Sequence, residues 1–248
     1  MLKTGKSWKV LLSLILILIL TLTGCGASAP AATDTVQWFN NTYAVLTVLN
    51  DRDYTQYSGG PADIKNKIIA RALLENTWGV TDRETADETL SWLLEEGHRV
   101  PLWEELEILA DYGLADIPET QRAQTIFENF DLSEEQAQLY AEWFALYEKH
   151  GVNAAAGWDY SRAMWLLSYY YVAGYYTQEE SLDQSLELAR TVQSTFDSWD
   201  SFMESYFAGY EYWSEESSGD RRDIYESLKA SSDNPFHLDW NTTLEKTW

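Results

Sequence analysis

The segment from Trp158 to Ala173 restricts the fold more than any other part of the chain, because it has almost no polar face. After Arg162 its residues are apolar or aromatic on every side of a helix: Ala163, Met164, Trp165, Leu166, Leu167, Tyr169, Tyr170, Tyr171 and Val172. A helix that is apolar all round has to be enclosed by other elements of the protein. The sequence therefore predicts a buried central helix, ended by Gly174, around which the rest of the chain is arranged.

Signals that begin helices recur along the rest of the chain. Three segments read as capping boxes, in which a Ser or Thr hydroxyl and a Glu or Gln three residues later bond each other's backbone amides: Thr81–Glu84, Ser133–Gln136 and Thr177–Glu180. Apolar residues follow each of them every three or four positions, as on one face of a helix. Glycine and proline supply only about 7% of the residues (13 and 5 of 248), against ~12% in average proteins, which disfavours turn-rich β architectures.

We predict an all-α fold, a single irregular multi-helix domain of about eight or nine helices around the buried aromatic central helix. The first helix is expected from Asp34 to about Asn50, and the second opens at Pro61. Ser198 can cap a later helix that carries an aromatic stripe, in which Gly209 permits the close approach of another backbone.

The first 25 residues have the pattern of a bacterial lipoprotein leader. Three lysines precede an apolar stretch from Val10 to Leu22, about 13 residues long, where a membrane-spanning helix needs ~20. The stretch ends in Leu-Thr-Gly-Cys, which resembles the lipobox, where the thiol of the Cys receives a diacylglyceryl group. We predict a signal peptide over 1–24, a lipidated Cys25 with a short tether over 25–33, and attachment to the extracytoplasmic face of the cell membrane.

The balance of charges and the scarcity of cysteine exclude several kinds of site. The chain has 17 Lys and Arg against 40 Asp and Glu, a net charge of −23, so a basic groove for nucleic acid cannot be assembled. A single Cys excludes a disulfide framework and a multi-cysteine metal site. The three His form no zinc-binding pattern, and no phosphate- or dinucleotide-binding motif occurs. We predict no metal, no cofactor and no nucleic-acid partner.

Two spaced motifs in the second half of the chain resemble a known bacterial family. Residues 157–162 read Gly-Trp-Asp-Tyr-Ser-Arg, and residues 198–202 read Ser-Trp-Asp-Ser-Phe, followed by Tyr206, Gly209 and Trp213. They are similar to the core pattern of the family called domain of unknown function 1266, in which a Trp-Asp-x-x-Arg helix is coupled to a Ser-Trp-x-x-Phe-x-x-x-Tyr-x-x-Gly helix.

Weaker similarities extend this resemblance over about residues 76–240. They are Thr-Trp-Gly-Val at 77–80, Leu-Ser-Trp-Leu at 90–93, Gly-His-Arg at 97–99 and the tail at 234–240. The resemblance implies no particular activity, since none is established for that family. The helices predicted in 34–75 lie outside the matched region.

Asp159 and Arg162 are the main candidates for chemistry. They lie three residues apart at the start of the central helix, where the helix dipole favours a carboxylate, and we expect them to pair with each other. Both are expected to face the aromatic helix around Trp199 and Tyr206. One interpretation is a partly buried ion pair that fixes how the helix enters the core. The other makes Arg162 a fork for an anion or carboxylate, and Asp159 its orienter or a base.

His98 completes the candidate cluster. It follows a glycine at a predicted helix end, and we interpret it either as a cap on the helix C-terminus or as a general base. The candidate binding or structural cluster consists of Trp158, Asp159, Arg162, Trp199, Tyr206 and His98.

Two classes of function remain open. The first is a membrane-anchored envelope lipoprotein whose non-catalytic helical domain binds a protein or a small molecule. The alternative is a hydrolase-like enzyme that uses Asp159, Arg162 and His98. Because the sequence contains no recognisable pairing of a nucleophile with a base, the first class is favoured and no catalytic residue is assigned.

Overall fold

The chain folds into α-helices. The structure is a computed structural model that describes residues 32–248, and within that range it contains eleven α-helices and no β-strand. The helices are α1 (Asp34–Thr42), α2 (Ala44–Leu49), α3 (Ile64–Trp78), α4 (Arg83–Glu95), α5 (Arg99–Asp111), α6 (Glu119–Asn129), α7 (Glu134–His150), α8 (Ala156–Ala173), α9 (Gln178–Thr195), α10 (Trp199–Ser214) and α11 (Gly219–Ala230). The all-α prediction is confirmed.

The predicted leader is not part of the described structure. The signal peptide proposed for 1–24 and the lipidation site Cys25 fall outside the described residues. None of the helices in the described domain is both long and apolar enough to cross a bilayer.

Helix α8 is the central helix that the sequence predicts. Of its 18 residues, only Arg162 and Tyr171 are not buried. It packs against α10, α9, α3 and α4, which enclose it on all sides as an apolar helix requires. Gly174 ends it in the left-handed conformation, with φ of 76°.

Side-chain caps set most of the helix starts. The predicted capping boxes at Ser133 and Thr177 form, and the Ser198 side chain accepts a hydrogen bond from the Ser201 amide at 3.1 Å. The box before α4 lies one residue later than predicted, because Asp82, not Thr81, is the cap. The Asp82 carboxylate accepts from both the amide and the hydroxyl of Thr85, and a charged acceptor is favoured at a helix N-terminus.

Two predicted helix boundaries near the start of the domain are wrong. The first helix is broken at Tyr43, where φ and ψ of −123° and 18° separate α1 from α2. Helix α3 begins at Ile64 and not at Pro61, because the Asp63 carboxylate accepts from the Asn66 amide at 2.8 Å and caps the helix there. The break at Tyr43 adds one helical segment, the later start shortens α3, and neither changes the fold class.

The first and last parts of the domain meet in the main core. Trp38 of α1 and Leu74 of α3 are fully buried in it, so residues 34–75 belong to the same core as α8. The Trp38 indole donates to the Trp240 carbonyl at 3.1 Å, and the Trp240 indole donates to the Phe196 carbonyl at 3.1 Å. The C-terminal tail therefore closes the core over α1 and α9.

A second, smaller core forms between α5, α6 and α7. Its buried residues are Leu102, Leu106, Leu109, Leu114, Ile126, Ala137, Trp143, Phe144, Ala154, Ala155 and Ala208. Ala208 of α10 also belongs to this smaller core. Since α5 follows directly on α4, the turn between these helices connects the two cores along the chain. That turn is where the candidate site lies.

Candidate functional site

Asp159 lies in the first turns of α8 and is completely buried. Its carboxylate faces the turn between α4 and α5, where it accepts hydrogen bonds from the amide of His98 at 2.9 and 3.0 Å and from the amide of Arg99 at 3.0 Å. These are the free N–H groups at the start of α5. Asp159 therefore caps a neighbouring helix, with its charge at the positive end of that helix dipole.

The ion-pair partner of Asp159 is Arg99. The Arg99 guanidinium lies 3.4 Å from Asp159 Oδ2 and is only 6% exposed. It also donates to the carbonyl of Leu93 at 2.7 Å and to that of Leu94, at the end of α4. Arg99 thus satisfies the carbonyls that end one helix, and Asp159 satisfies the amides that begin the next.

Gly97 allows this approach. Its φ is +61°, in the left-handed region, and a Cβ at this position would lie 2.2 Å from Asp159 Oδ2. Any side chain here would expel the carboxylate from the turn. Glycine is therefore required both by the backbone conformation and by the contact.

Arg162 does not pair with Asp159, and this corrects the sequence prediction. Its guanidinium carbon lies over three indole rings instead, 4.3 Å from the centroid of Trp78, 4.6 Å from Trp158 and 5.1 Å from Trp213. Burial lowers the pKa of Arg162 to about 10, and the negative charge of Asp159 opposes that change. The side chain is still protonated at neutral pH, and it is held by cation–π contacts.

His98 bridges the buried and the exposed parts of the cluster. Its Nδ1 lies 3.0 Å from Asp159 Oδ1 and 3.3 Å from Arg162 Nη1. A guanidinium has no acceptor, so we assign the Nδ1 proton to the bond with the carboxylate. The ring edge packs on Trp92 at 5.0 Å and on Trp213 at 6.1 Å. The interpretation of His98 as a C-terminal cap of α4 is replaced by this role, since its ring bonds Asp159.

The outer side of the cluster is open to solvent, whereas its inner side is not. Trp92 is 38% exposed, Trp213 49%, and the His98 side chain 18%, while Asp159 is 0% exposed. Two depressions in residues 32–248 lie elsewhere, one beside Arg52 and one beside Thr33. Over the same residues, no group of three or more acidic, His or Cys side chains is placed to hold a metal ion.

Comparison with known proteins assigns the chain to a family. The family described as "Protein of unknown function (DUF1266)" matches residues 73–240, more than half of the chain. The chain belongs to this family. Neither curated proteins nor solved structures gave a match. The DUF1266 region contains Asp159, its hydrogen-bond partners in the α4–α5 turn, and Arg162 with the three tryptophans around it.

The structure brings together most, but not all, of the predicted cluster within the DUF1266 region. His98, Asp159, Arg162 and Trp158 meet, and Tyr206 packs on Trp158 with ring centroids 5.2 Å apart. Trp199 belongs to a different group of side chains at the other end of α10, where its ring lies 4.8 Å from that of Trp240.

Sequence reasoning missed Arg99, Trp78, Trp92 and Trp213 as members of this site. The signal for Arg99 was present in Gly-His-Arg at 97–99, a charged residue that closely follows a glycine at a helix end. The three tryptophans come from α3, α4 and α10. No local spacing relates them, so only the fold could place Trp78 and Trp213 against Arg162 and Trp92 against His98.

Proposed function

We propose that the chain is a membrane-anchored lipoprotein of the cell envelope whose helical domain binds another molecule without catalysing a reaction. The single observation that carries the binding role is the division of the cluster. Asp159 is sealed and its oxygens are occupied by His98 and Arg99, while Arg162, Trp92 and Trp213 reach the surface. Charged and aromatic side chains presented together at a surface are typical of recognition.

The buried carboxylate argues against acid–base catalysis. A general base has to reach the proton that it removes, and a nucleophile needs a base within hydrogen-bond distance. In residues 32–248 the only side chains within that distance of the His98 ring are Asp159 and Arg162, neither of which is a nucleophile there. The membrane anchor is supported separately by the lipobox sequence that ends in Cys25.

The lipid anchor is tested by metabolic labelling of cells with an alkyne fatty acid. We expect wild-type protein to be labelled and Cys25→Ser to lose essentially all label, because the thiol is the acylation site and the signal peptidase acts after acylation. Ser28→Ala, just beyond the lipobox, is the matched control and should be labelled like wild type. Equal labelling of wild type and Cys25→Ser would contradict the anchor.

One contact favours the hydrolase-like alternative. Asp159 holds Nδ1 of His98 at 3.0 Å, which is how a buried Asp orients a catalytic His. We nevertheless expect the detergent-solubilised protein to hydrolyse chromogenic esters and aryl glycosides no faster than His98→Gln does, because no nucleophile meets this ring. A wild-type rate that is lost in His98→Gln at an unchanged melting temperature would establish the enzyme instead.

A further inference from the structure

In the described part of this acidic chain, two arginines bond no carboxylate or carbonyl oxygen, and both lie on one aromatic cluster. Residues 32–248 contain nine arginines. In seven of them the guanidinium donates to a protein oxygen, as in Arg99 with Leu93, Arg122 with Glu148 and Arg222 with Glu204. Among the described residues, Arg162 makes no such bond, and the only oxygen that Arg221 meets is the buried hydroxyl of Tyr206. The chain has 40 acidic residues against 17 basic ones, so a shortage of carboxylates does not explain why these two arginines are unpaired.

The two arginines lie on two neighbouring rings. Arg162 lies 4.6 Å from the Trp158 centroid, Arg221 lies 3.7 Å from the Tyr210 centroid, and the Trp158 and Tyr210 rings are 5.5 Å apart. The Tyr206 hydroxyl is close enough to respond to both charges. Burial raises the pKa of Tyr206 to about 12, and the positive charge of Arg221, a hydrogen bond from Arg221 and the positive charge of Arg162 oppose the rise.

One further donor at this place lacks a partner. In the described domain the indole N–H of Trp158 is buried without a hydrogen-bond partner, whereas the buried Tyr206 hydroxyl and Arg221 Nε have only each other. Trp158 is 4% exposed and Tyr206 is 1% exposed. Buried polar groups are nearly always bonded, so an indole N–H without an acceptor beside the Arg162 guanidinium indicates that an acceptor can bind at this place.

The site can be reached from outside. Arg162 is partly exposed. Each nitrogen of its guanidinium either bonds a protein atom or contacts the solvent. Trp213, which covers Arg162, is 49% exposed, and Trp92, which like Trp213 packs on His98, is 38% exposed. A ligand would meet an apolar rim first and the guanidinium behind it.

We propose that Arg162, flanked by Arg221, binds the carboxylate of a small molecule whose apolar or aromatic body lies on the tryptophan rim. A planar guanidinium matches a carboxylate with two parallel hydrogen bonds. Exposed Trp92 and Trp213 favour an apolar body over a polar one. The net charge of −23 disfavours ligands that carry several negative charges. This proposal rests on the binding role proposed above and names its ligand class, and it is independent of the lipid anchor.

The test is a titration of the detergent-solubilised full chain with 3-phenylpropanoate, followed by tryptophan fluorescence and calorimetry. The comparison ligands are inorganic phosphate and 3-phenylpropanamide, which has the same body as the acid without the charge. We expect saturable binding of the acid, and binding weaker by about tenfold or more for the amide and for phosphate, since a hydrogen bond to a charged group accounts for a factor of that size. No saturation by the acid, or equal binding of acid and amide, would overturn the carboxylate site.

Variants locate the site within the protein. Arg162→Met should weaken binding of the acid at least about tenfold, and Arg221→Gln should weaken it several-fold. Arg222→Gln is the matched control, because it removes the same charge from the neighbouring residue, whose guanidinium is paired with Glu204 at 2.9 Å. An equal loss in Arg222→Gln, or none in Arg221→Gln, would overturn the proposal even if Arg162→Met did not fold. Fatty-acid labelling and ester turnover test the proposed function separately. A failure of the carboxylate site can therefore be distinguished from a failure of the proposed function.

Discussion

Asp159→Asn is expected to lower the free energy of unfolding by about 3–5 kcal/mol, the usual cost of removing one partner from a buried charge pair. Asparagine has the same shape, but its NH2 group would face the amide of His98, the amide of Arg99 or the Arg99 guanidinium, all of which are donors. The loss is a large part of a typical total stability of ~5–15 kcal/mol. Urea unfolding followed by circular dichroism measures it.

The structure also ranks the neighbouring variants. Arg99→Met should cost a similar amount, because it strands the Asp159 charge and the carbonyls at the end of α4. Arg162→Met should cost only about 1–2 kcal/mol, since it removes cation–π contacts and leaves no buried charge unpaired. Asp220→Asn, an exposed acid in the first turn of α11, is the control and should change stability by less than about 1 kcal/mol. Equal stability of Asp159→Asn and Asp220→Asn would contradict the capping role.

Gly157→Ala should destabilise the protein, although glycine to alanine in a helix ordinarily stabilises by about 0.5–1 kcal/mol. A Cβ at this position would lie 2.4 Å from the Phe202 carbonyl oxygen and 2.6 Å from the Tyr206 amide nitrogen. Both atoms belong to the backbone of α10, which cannot rotate away as a side chain can. We expect a loss of about 3 kcal/mol, at the upper end of the usual cost of overpacking.

The matched control for this prediction is Gly219→Ala. Gly219 also lies at the start of a helix, but the atom nearest to a Cβ at this position would be the Ser217 hydroxyl oxygen at 3.5 Å, an ordinary contact. This variant should be neutral or slightly stabilising. If urea unfolding gave Gly157→Ala the same midpoint as Gly219→Ala, the close backbone contact between α8 and α10 would be disproved.

Local signals made much of the fold predictable. The caps at Ser133, Thr177 and Ser198 satisfy amides only three residues away, so a short stretch of sequence contains the whole interaction. The buried central helix was predictable because an apolar surface on every side leaves it no other place. Gly209 was expected to admit another backbone, and it does so, since its Cβ would lie 2.9 Å from the Ala155 carbonyl oxygen.

The site was less predictable, because its contacts connect distant parts of the chain. Spacing along a helix suggested Arg162 as the partner of Asp159, three residues away. The observed partner, Arg99, is 60 residues away in sequence. It prevails because the start of α5 presents two free amides together with the guanidinium, so one carboxylate satisfies all three. That arrangement exists only after the α4–α5 turn has packed on α8, and no sequence spacing expresses it.

The contact between Trp38 and Trp240 has a consequence for the order of folding. The two residues are 202 positions apart, and the Trp240 carbonyl also accepts a hydrogen bond from the Gln193 side-chain amide at 2.6 Å. Closing so long a loop has an entropic cost that grows with its length, and contacts of this separation form late and slow folding. The part of α1 that contacts Trp240 therefore stays uncovered until residue 240 has been synthesised, and the main core is completed only then.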